Sequence, residues 1–242
     1  MSSSQPTPEI ARDTVKVCGI RTPEDAVVAV QAGATLIGMI FAPTRRQVDH
    51  RTARLISDAV HATGTGARTV GVFVNPSAEN VNEAIRAAHL DLVQLNGDED
   101  ALFVSKLDRP AIRAFRIPPG QSAADLKNRI VAHRSIDHPP MAFMVDGYDP
   151  HAHGGTGVRA DWDLVSRASR ESGHPLGIAG GLTPENVGEA ITTVRPLFVD
   201  VSSGVERDGI KDPNLIRAFV EAGLTGFREL REPEGAVSPA RR

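Results

Sequence analysis

A single cysteine, an acid that closes an apolar run and three glycine-rich segments carry the chemistry written into this sequence. Cys18 stands in Lys16-Val17-Cys18-Gly19 and is the chain's one cysteine, so no disulfide can form within it. Such a residue is by default a small buried hydrophobe. Two features point further. Cys18 ends a β-branched run, and Lys16 shares its parity, so both side chains can project to one side of a strand. An ammonium there would favour the thiolate and bring a thiol's ordinary value of about 8.5 toward neutrality. Asp146 closes Ala142-Phe143-Met144-Val145. It either caps the following turn or, partly withdrawn from water, keeps a proton at a raised pKa and delivers it as a general acid. Asp149 falls in the loop beyond and is the weaker candidate. Cys18 and Asp146 are the candidate catalytic pair.

The glycine-rich segments are Gly154-Gly155-Thr156-Gly157, Ala179-Gly180-Gly181-Leu182 and Ser202-Ser203-Gly204-Val205. Glycines let the backbone approach a ligand closely, and successive N–H groups can cradle an anion. Each segment alone is equally a tight turn. Three in consecutive late loops point to phosphate, which makes Gly155, Gly157, Gly180, Gly181, Ser202, Ser203 and Gly204 candidate substrate-binding residues. Arg45 and Arg46 follow Phe41-Ala42-Pro43-Thr44. An arginine fork there can take a carboxylate through two parallel hydrogen bonds, although loop arginines are usually just solvated. His151 and His153 form a His-x-His pair without further ligands at strand ends, so neither metal nor cofactor is expected. Trp162 and Phe227 have the character of packing residues.

These groups need a frame. Short apolar, β-branched runs cover Thr14–Cys18, Thr35–Phe41, Arg68–Val74, Asp91–Leu95, Ala111–Arg116, Met141–Asp146, Leu176–Ala179 and Leu197–Val201. Each is followed by turn residues and then a helix signal. Thr22-Pro23-Glu24-Asp25 opens the first helix and Gly33 ends it. Ser77 and Asn80 can cap another, Thr183-Pro184-Glu185 repeats the first arrangement, and Lys211-Asp212-Pro213 opens the last helix, which Gly223 ends. Strands alternating with helices imply right-handed crossovers and a parallel sheet. Eight units favour closure, so the expected fold is α/β, a single (β/α)8 TIM barrel. An open doubly wound sheet would carry its phosphate loop after the first strand, and here the glycine-rich loops come late. In a β/α barrel the active site lies at the carboxyl ends of the strands. Cys18, Asn75, Asn96, Asp146, Gly180 and Ser202 stand at those ends.

The 242 residues suit one such barrel, which needs about 250. The expected division is a catalytic barrel over 14–225, with disordered Pro/Ser-rich tails at 1–13 and 226–242. A net charge of -3 gives no electrostatic reason to expect nucleic acid or an acidic membrane surface as a partner. No run approaches the roughly 18 apolar residues of a membrane span, and Met1–Pro8 lacks the apolar core of a signal peptide. A cytoplasmic monomer or homodimer acting on a small anionic molecule is expected.

In order along the body, Lys16-Val17-Cys18-Gly19-Ile20, Gly71-Val72-Phe73-Val74-Asn75, Val93-Gln94-Leu95, Gly154-Gly155-Thr156-Gly157, Ala179-Gly180-Gly181-Leu182 with Pro184-Glu185-Asn186-Val187, Asp200-Val201-Ser202-Ser203-Gly204-Val205-Glu206 and Gly209-Ile210-Lys211-Asp212 resemble the phosphoribosylanthranilate isomerase family. The resemblance covers nearly the whole body. It implies an Amadori rearrangement of N-(5-phosphoribosyl)anthranilate to 1-(o-carboxyphenylamino)-1-deoxyribulose 5-phosphate, a step of tryptophan biosynthesis. By it, Asp146 is the general acid that protonates the ring oxygen and Cys18 the general base that removes the C2 proton. Arg46 is the anthranilate-binding arginine, with Arg45 as the alternative. Gly155, Gly181 and Ser203 mark the phosphate loops. There are departures. Asn96 stands where the family usually has His, the loop after the second strand is about a residue shorter, and Ala160 replaces an aromatic. An isomerase serving both the histidine and tryptophan pathways would carry aspartates at the ends of strands one and five; here Cys18 and Arg116-Ile117 stand there. Ribulose-phosphate epimerases share the phosphate loops but need strand-end histidines for metal. A barrel that only binds a sugar phosphate is the reading of a different class.

Overall fold

The computed structural model describes residues 10–148 and 159–231. Eight parallel strands close in sequential order into one barrel. They are β1 (Thr14–Val17), β2 (Leu36–Ile40), β3 (Arg68–Phe73), β4 (Leu92–Leu95), β5 (Ala111–Arg116), β6 (Ala142–Asp146), β7 (Leu176–Ile178) and β8 (Phe198–Val201). Every expected run becomes a strand, with ends moved by at most one residue. Closure is made by β1 on β8, with Thr14 opposite Phe198 and Lys16 opposite Asp200.

Alternation along each strand sorts side chains into two cores. Inward positions near the amino ends are apolar: Leu36, Val70, Leu92, Ile112, Ala142 and Phe198 form the barrel floor. Outward positions such as Val15, Val17, Ile37, Val199 and Val201 pack beneath the helices in a larger cluster. Full burial of a Val, Leu or Ile side chain stabilises by roughly 1.5–3 kcal/mol, so both layers contribute. Above the apolar floor the inward positions turn polar, and the site lies there.

The helices form where the caps are. Among the described residues they are α1 (Pro23–Ala32), α2 (His50–Ala62), α3 (Ala78–Ala88), α4 (Ala123–Arg134), α5 (Trp162–Ser172), α6 (Val187–Val194) and α7 (Pro213–Arg231). Thr22 accepts from Asp25 N, Ser77 from Asn80 N, and Ser122 forms a reciprocal capping box with Asp125. Three expectations need correction. The connection after β4 is a 3₁₀ segment, Ala101–Lys106, in place of an α-helix. α6 starts at Val187, because Asn186 Oδ1 accepts from Thr183 N at 2.8 Å and keeps Thr183–Asn186 in a turn. Gly223 does not end α7. It lies inside the helix, where a Cβ would come 3.2 Å from Val15 Cγ2, so glycine lets the helix press onto β1.

The boundaries drawn at 13 and 226 move as well. The buried face of α7 continues through Ile216, Phe219, Val220, Gly223 and Phe227, the spacing of a helical apolar stripe, so the barrel runs on to Arg231. At the other end Ile10 is buried in the barrel floor. Asp13 N donates to Leu197 O at 3.2 Å, and Asp13 pairs with Arg231 at 2.8 Å. No helix among the described residues is long and apolar enough to cross a membrane.

Candidate active site

Cys18 follows directly on β1. Its amide donates to Val201 O at 2.8 Å, and its side chain turns into the barrel mouth with 6% of the residue exposed. Room for the sulfur comes from β2, since a Cβ on Gly38 would lie 2.7 Å from Cys18 Sγ. Lys16, one inward position deeper, is fully buried, and its Nζ donates to Asp200 Oδ2 at 2.7 Å. Burial pulls the Lys16 ammonium down, but Asp200 and Cys18 more than offset that and hold it above its ordinary value. Burial pushes the Cys18 thiol up; Lys16 and Lys211 oppose this, and Asp200 adds to it. Lys16 thus pulls the thiol down as expected, but burial outweighs that pull and the net shift is upward. The parity argument holds, yet Lys16 is shared with a carboxylate from the opposite end of the chain, and desolvation dominates.

Asp146 is the last residue of β6 and is buried. Its Oδ1 accepts from Gly147 N at 2.8 Å. Burial, reinforced by the nearby Asp200 carboxylate, raises its pKa to about 6, against the opposing pull of that hydrogen bond and of Lys16 and Arg116. Such a carboxyl keeps its proton far longer than a solvated aspartate and can donate it near neutrality.

Cys18 and Asp146 line one cavity at the carboxyl ends of the strands, together with Arg46, Gly180, Gly181, Ser202 and Ser203. Gly180 and Gly181 both have left-handed backbone, with φ of 88° and 63°, and Asn186 Nδ2 donates to Gly181 O at 2.8 Å to hold the turn. Gly204 seats the loop after β8 against the loop after β7: a Cβ on it would lie 1.9 Å from Leu182 O. Backbone cannot yield as a flexible side chain can. Gly204→Ala is therefore expected to raise the substrate KM about tenfold or more by parting the two loops. An unchanged KM in steady-state turnover would mean that their contact does not shape the cavity. Gly155 and Gly157, with His151, His153 and Asp149, lie outside the described residues.

The two arginines separate clearly. Arg46 is buried and lines the cavity, whereas the Arg45 side chain is 59% exposed. Both meet Glu206. Arg46 Nε donates to Glu206 Oε1 at 2.6 Å and Nη2 to Oε2 at 2.9 Å, while Arg45 Nη2 reaches Oε2 at 2.9 Å. At the far wall Asn96 is buried, and its Oδ1 accepts from Gln94 Nε2 at 2.8 Å. The same cavity is also lined by the apolar residues Ile40, Ala42, Val72, Val74 and Leu182.

Three polar atoms facing this arrangement are buried and have no partner among the described residues: Gln94 Oε1, Asp200 Oδ1 and Ser202 Oγ. Leaving such atoms unpaired costs about 1–3 kcal/mol each, a cost that a polar ligand in the cavity would offset. Gln94, Asp200 and Glu206 were not singled out as site residues from sequence. For the first two a signal exists, because each interrupts an apolar strand at an inward-facing position, Leu92-Val93-Gln94-Leu95 and Phe198-Val199-Asp200-Val201.

A closed parallel barrel whose apolar floor gives way, at the carboxyl ends of its strands, to a cavity holding a thiol, a carboxyl of raised pKa and an arginine defines a β/α-barrel enzyme. A family profile described as N-(5'phosphoribosyl)anthranilate (PRA) isomerase matches residues 15–222. The chain belongs to this family. It is 42% identical over 214 residues to an N-(5'-phosphoribosyl)anthranilate isomerase of Roseiflexus sp. (strain RS-1), covering 86% of this chain and 96% of that one. Among solved structures, phosphoribosyl anthranilate isomerase from Thermotoga maritima superposes with a TM-score of 0.73 at 33% identity, covering 87% and 98% of the two chains. A phosphoribosyl anthranilate isomerase in complex with reduced 1-(o-carboxyphenylamino)-1-deoxyribulose 5-phosphate superposes with a TM-score of 0.71 at 32% identity, covering 87% and 97%.

Proposed function

We propose that this chain converts N-(5-phosphoribosyl)anthranilate to 1-(o-carboxyphenylamino)-1-deoxyribulose 5-phosphate by general acid/base catalysis. The observation that carries the reading is a thiol and a carboxyl of raised pKa on one cavity whose other walls offer an arginine and two glycine-rich loops. Protonated Asp146 gives its proton to the ribose ring oxygen. The C1–O bond breaks, and the nitrogen lone pair forms a Schiff base at C1. The Cys18 thiolate takes the proton from C2, and the electron pair moves toward nitrogen to give an enolamine. Loss of the O2 proton and gain of one at C1 yields the ketone. Arg46 receives the anthranilate carboxylate, and the apolar side chains of the cavity wall receive the ring. The loops at Gly180, Gly181, Ser202, Ser203 and Gly204, joined by Gly155 and Gly157, receive the phosphate through backbone N–H groups. Family membership supports the reaction and its place in tryptophan biosynthesis. A cytoplasmic location goes with that biosynthetic role.

The decisive test generates the unstable substrate in place from anthranilate and phosphoribosyl pyrophosphate and follows the decay of its fluorescence. Rapid, enzyme-dependent decay is expected. Decay no faster than the spontaneous rate, with phosphate still bound, would favour a sugar-phosphate binder instead.

The pKa directions fix a pH profile. The working form has Asp146 protonated and Cys18 ionised, the reverse of the order in which the free groups titrate. Below about 6 the acid is already protonated, and the thiolate fraction falls tenfold for each further pH unit. Above about 6 each gain of thiolate is cancelled by loss of acid, so kcat/KM levels off until the thiol itself titrates. In Asp146→Asn the break near 6 disappears, and the residual rate climbs steadily with pH. Persistence of that break in the variant would assign it to another group.

A further inference from the structure

Glu206 has no role in the proton transfers, yet it is among the most heavily engaged side chains of the site. It is brought there by a two-residue hairpin. β9 (Glu206–Arg207) pairs antiparallel with β10 (Ile210–Lys211), and Asp208 and Gly209 at its tip both have positive φ. Arg21 pins the hairpin to the loop after β2, donating to Gly209 O at 3.1 Å and to Arg45 O at 3.2 Å. The Glu206 carboxylate then meets Arg46, which lines the cavity, and Lys211 of its own hairpin. Its two oxygens take Nε and Nη2 of Arg46 in a fork. Oε1 also accepts from Lys211 Nζ at 2.9 Å, and the same Nζ donates to Ser202 O at 2.8 Å, the carbonyl of the phosphate loop. The side chain is 4% exposed. Burial pushes its carboxyl up, but the hydrogen bonds of Arg46 and Lys211 and their charges overcome that and hold it at about 2, so it is an anion at any working pH.

We infer that Glu206 is a positioning residue that fixes the substrate's carboxylate end relative to its phosphate end, by orienting the Arg46 guanidinium and, through Lys211, the loop at Ser202. The inference rests on the functional reading above. A fork between a carboxylate and the Nε edge sets the guanidinium plane as well as its position. Gly19 closes the other side, since a Cβ there would come 2.7 Å from Arg46 Cδ. One carboxylate against three cations also leaves the cluster positive, which suits a substrate carrying two anionic groups.

Glu206→Gln separates orientation from charge. The amide keeps one acceptor for Lys211 but turns an NH2 toward the arginine donors and breaks the fork, while the cluster becomes more positive. Substrate KM is expected to rise on the order of tenfold or more, as for loss of a charge-assisted fork. kcat should change less than about threefold, and competitive inhibition by inorganic phosphate should hold or tighten. A purely structural role would weaken substrate and phosphate in parallel and lower the melting temperature; that result, or an unchanged KM, overturns the inference. If Glu206→Gln does not fold, Glu206→Asp keeps the buried charge and shortens its reach, and should show the same split at smaller size. Wild-type turnover is measured alongside: its absence would sink the functional reading, whereas turnover with KM unmoved in the variants sinks this inference alone.

Discussion

Asp146→Asn should give a protein that is more stable at neutral pH and far slower in turnover. The stability half follows from linkage. A carboxyl whose folded pKa stands at about 6, above its ordinary 3.8, binds its proton more tightly folded than unfolded. Its favourable contribution is present at low pH and lost as pH rises through about 6, where ionisation inside the barrel becomes a cost. At pH 8 that cost is at most about 3 kcal/mol. Asparagine removes it while keeping an oxygen for Gly147 N. For a domain of this size the gain is about 5–10 °C in melting temperature at pH 8, shrinking as pH falls toward about 4. The catalytic half follows from role: losing a positioned general acid costs about 10²–10⁴ in kcat, with KM little changed because binding lies elsewhere. Thermal scans across pH and steady-state kinetics read the two halves separately. A variant that loses stability at pH 8 would mean that the carboxyl is held ionised, and near-normal kcat would remove it from the chemistry.

Lys16→Met should have the opposite character and unfold the protein readily. Lys16 is fully buried and bonded to a carboxylate that is itself 5% exposed. Removing one member of a buried pair leaves the other charge unpaired and costs about 3–5 kcal/mol, about 10 °C or more in melting temperature. Turnover should fall as well, because the thiol loses the larger of the two cations that counter its burial. The double variant Lys16→Met, Asp200→Leu separates these effects. Replacing both charges with apolar groups is often neutral or stabilising, so stability should return in large part while turnover does not. Recovery of full turnover in the double variant would show that the pair serves only the fold.

Legibility in the sequence followed distance along the chain. The strands were legible because each is a short β-branched run with turn residues after it, and that information is local. Cys18, Asp146, Gly180 and Ser202 were legible as strand ends, since a β/α barrel places its chemistry there. The direction of the Cys18 shift was not, because its largest cause is burial in the closed barrel, and Asp200, 184 residues from Lys16, adds to it only by register. Glu206 escaped for the same reason: its arginine partner lies 160 residues away, and a lone glutamate in a loop looks solvated. The end of α7 is not legible locally, because a glycine such as Gly223 normally stops a helix, and only its contact with Val15 shows it serving close packing instead.

The seam where β1 meets β8 carries the Lys16–Asp200 pair. The first strand made therefore waits for the last one before its ammonium has an anion to neutralise. A chain stopped short of β8 would have to keep that end of the barrel wet or bury a naked charge, and both are unfavourable. Electrostatics thus favours the complete ring, since the bond beside the sulfur exists only where the first and last strands meet.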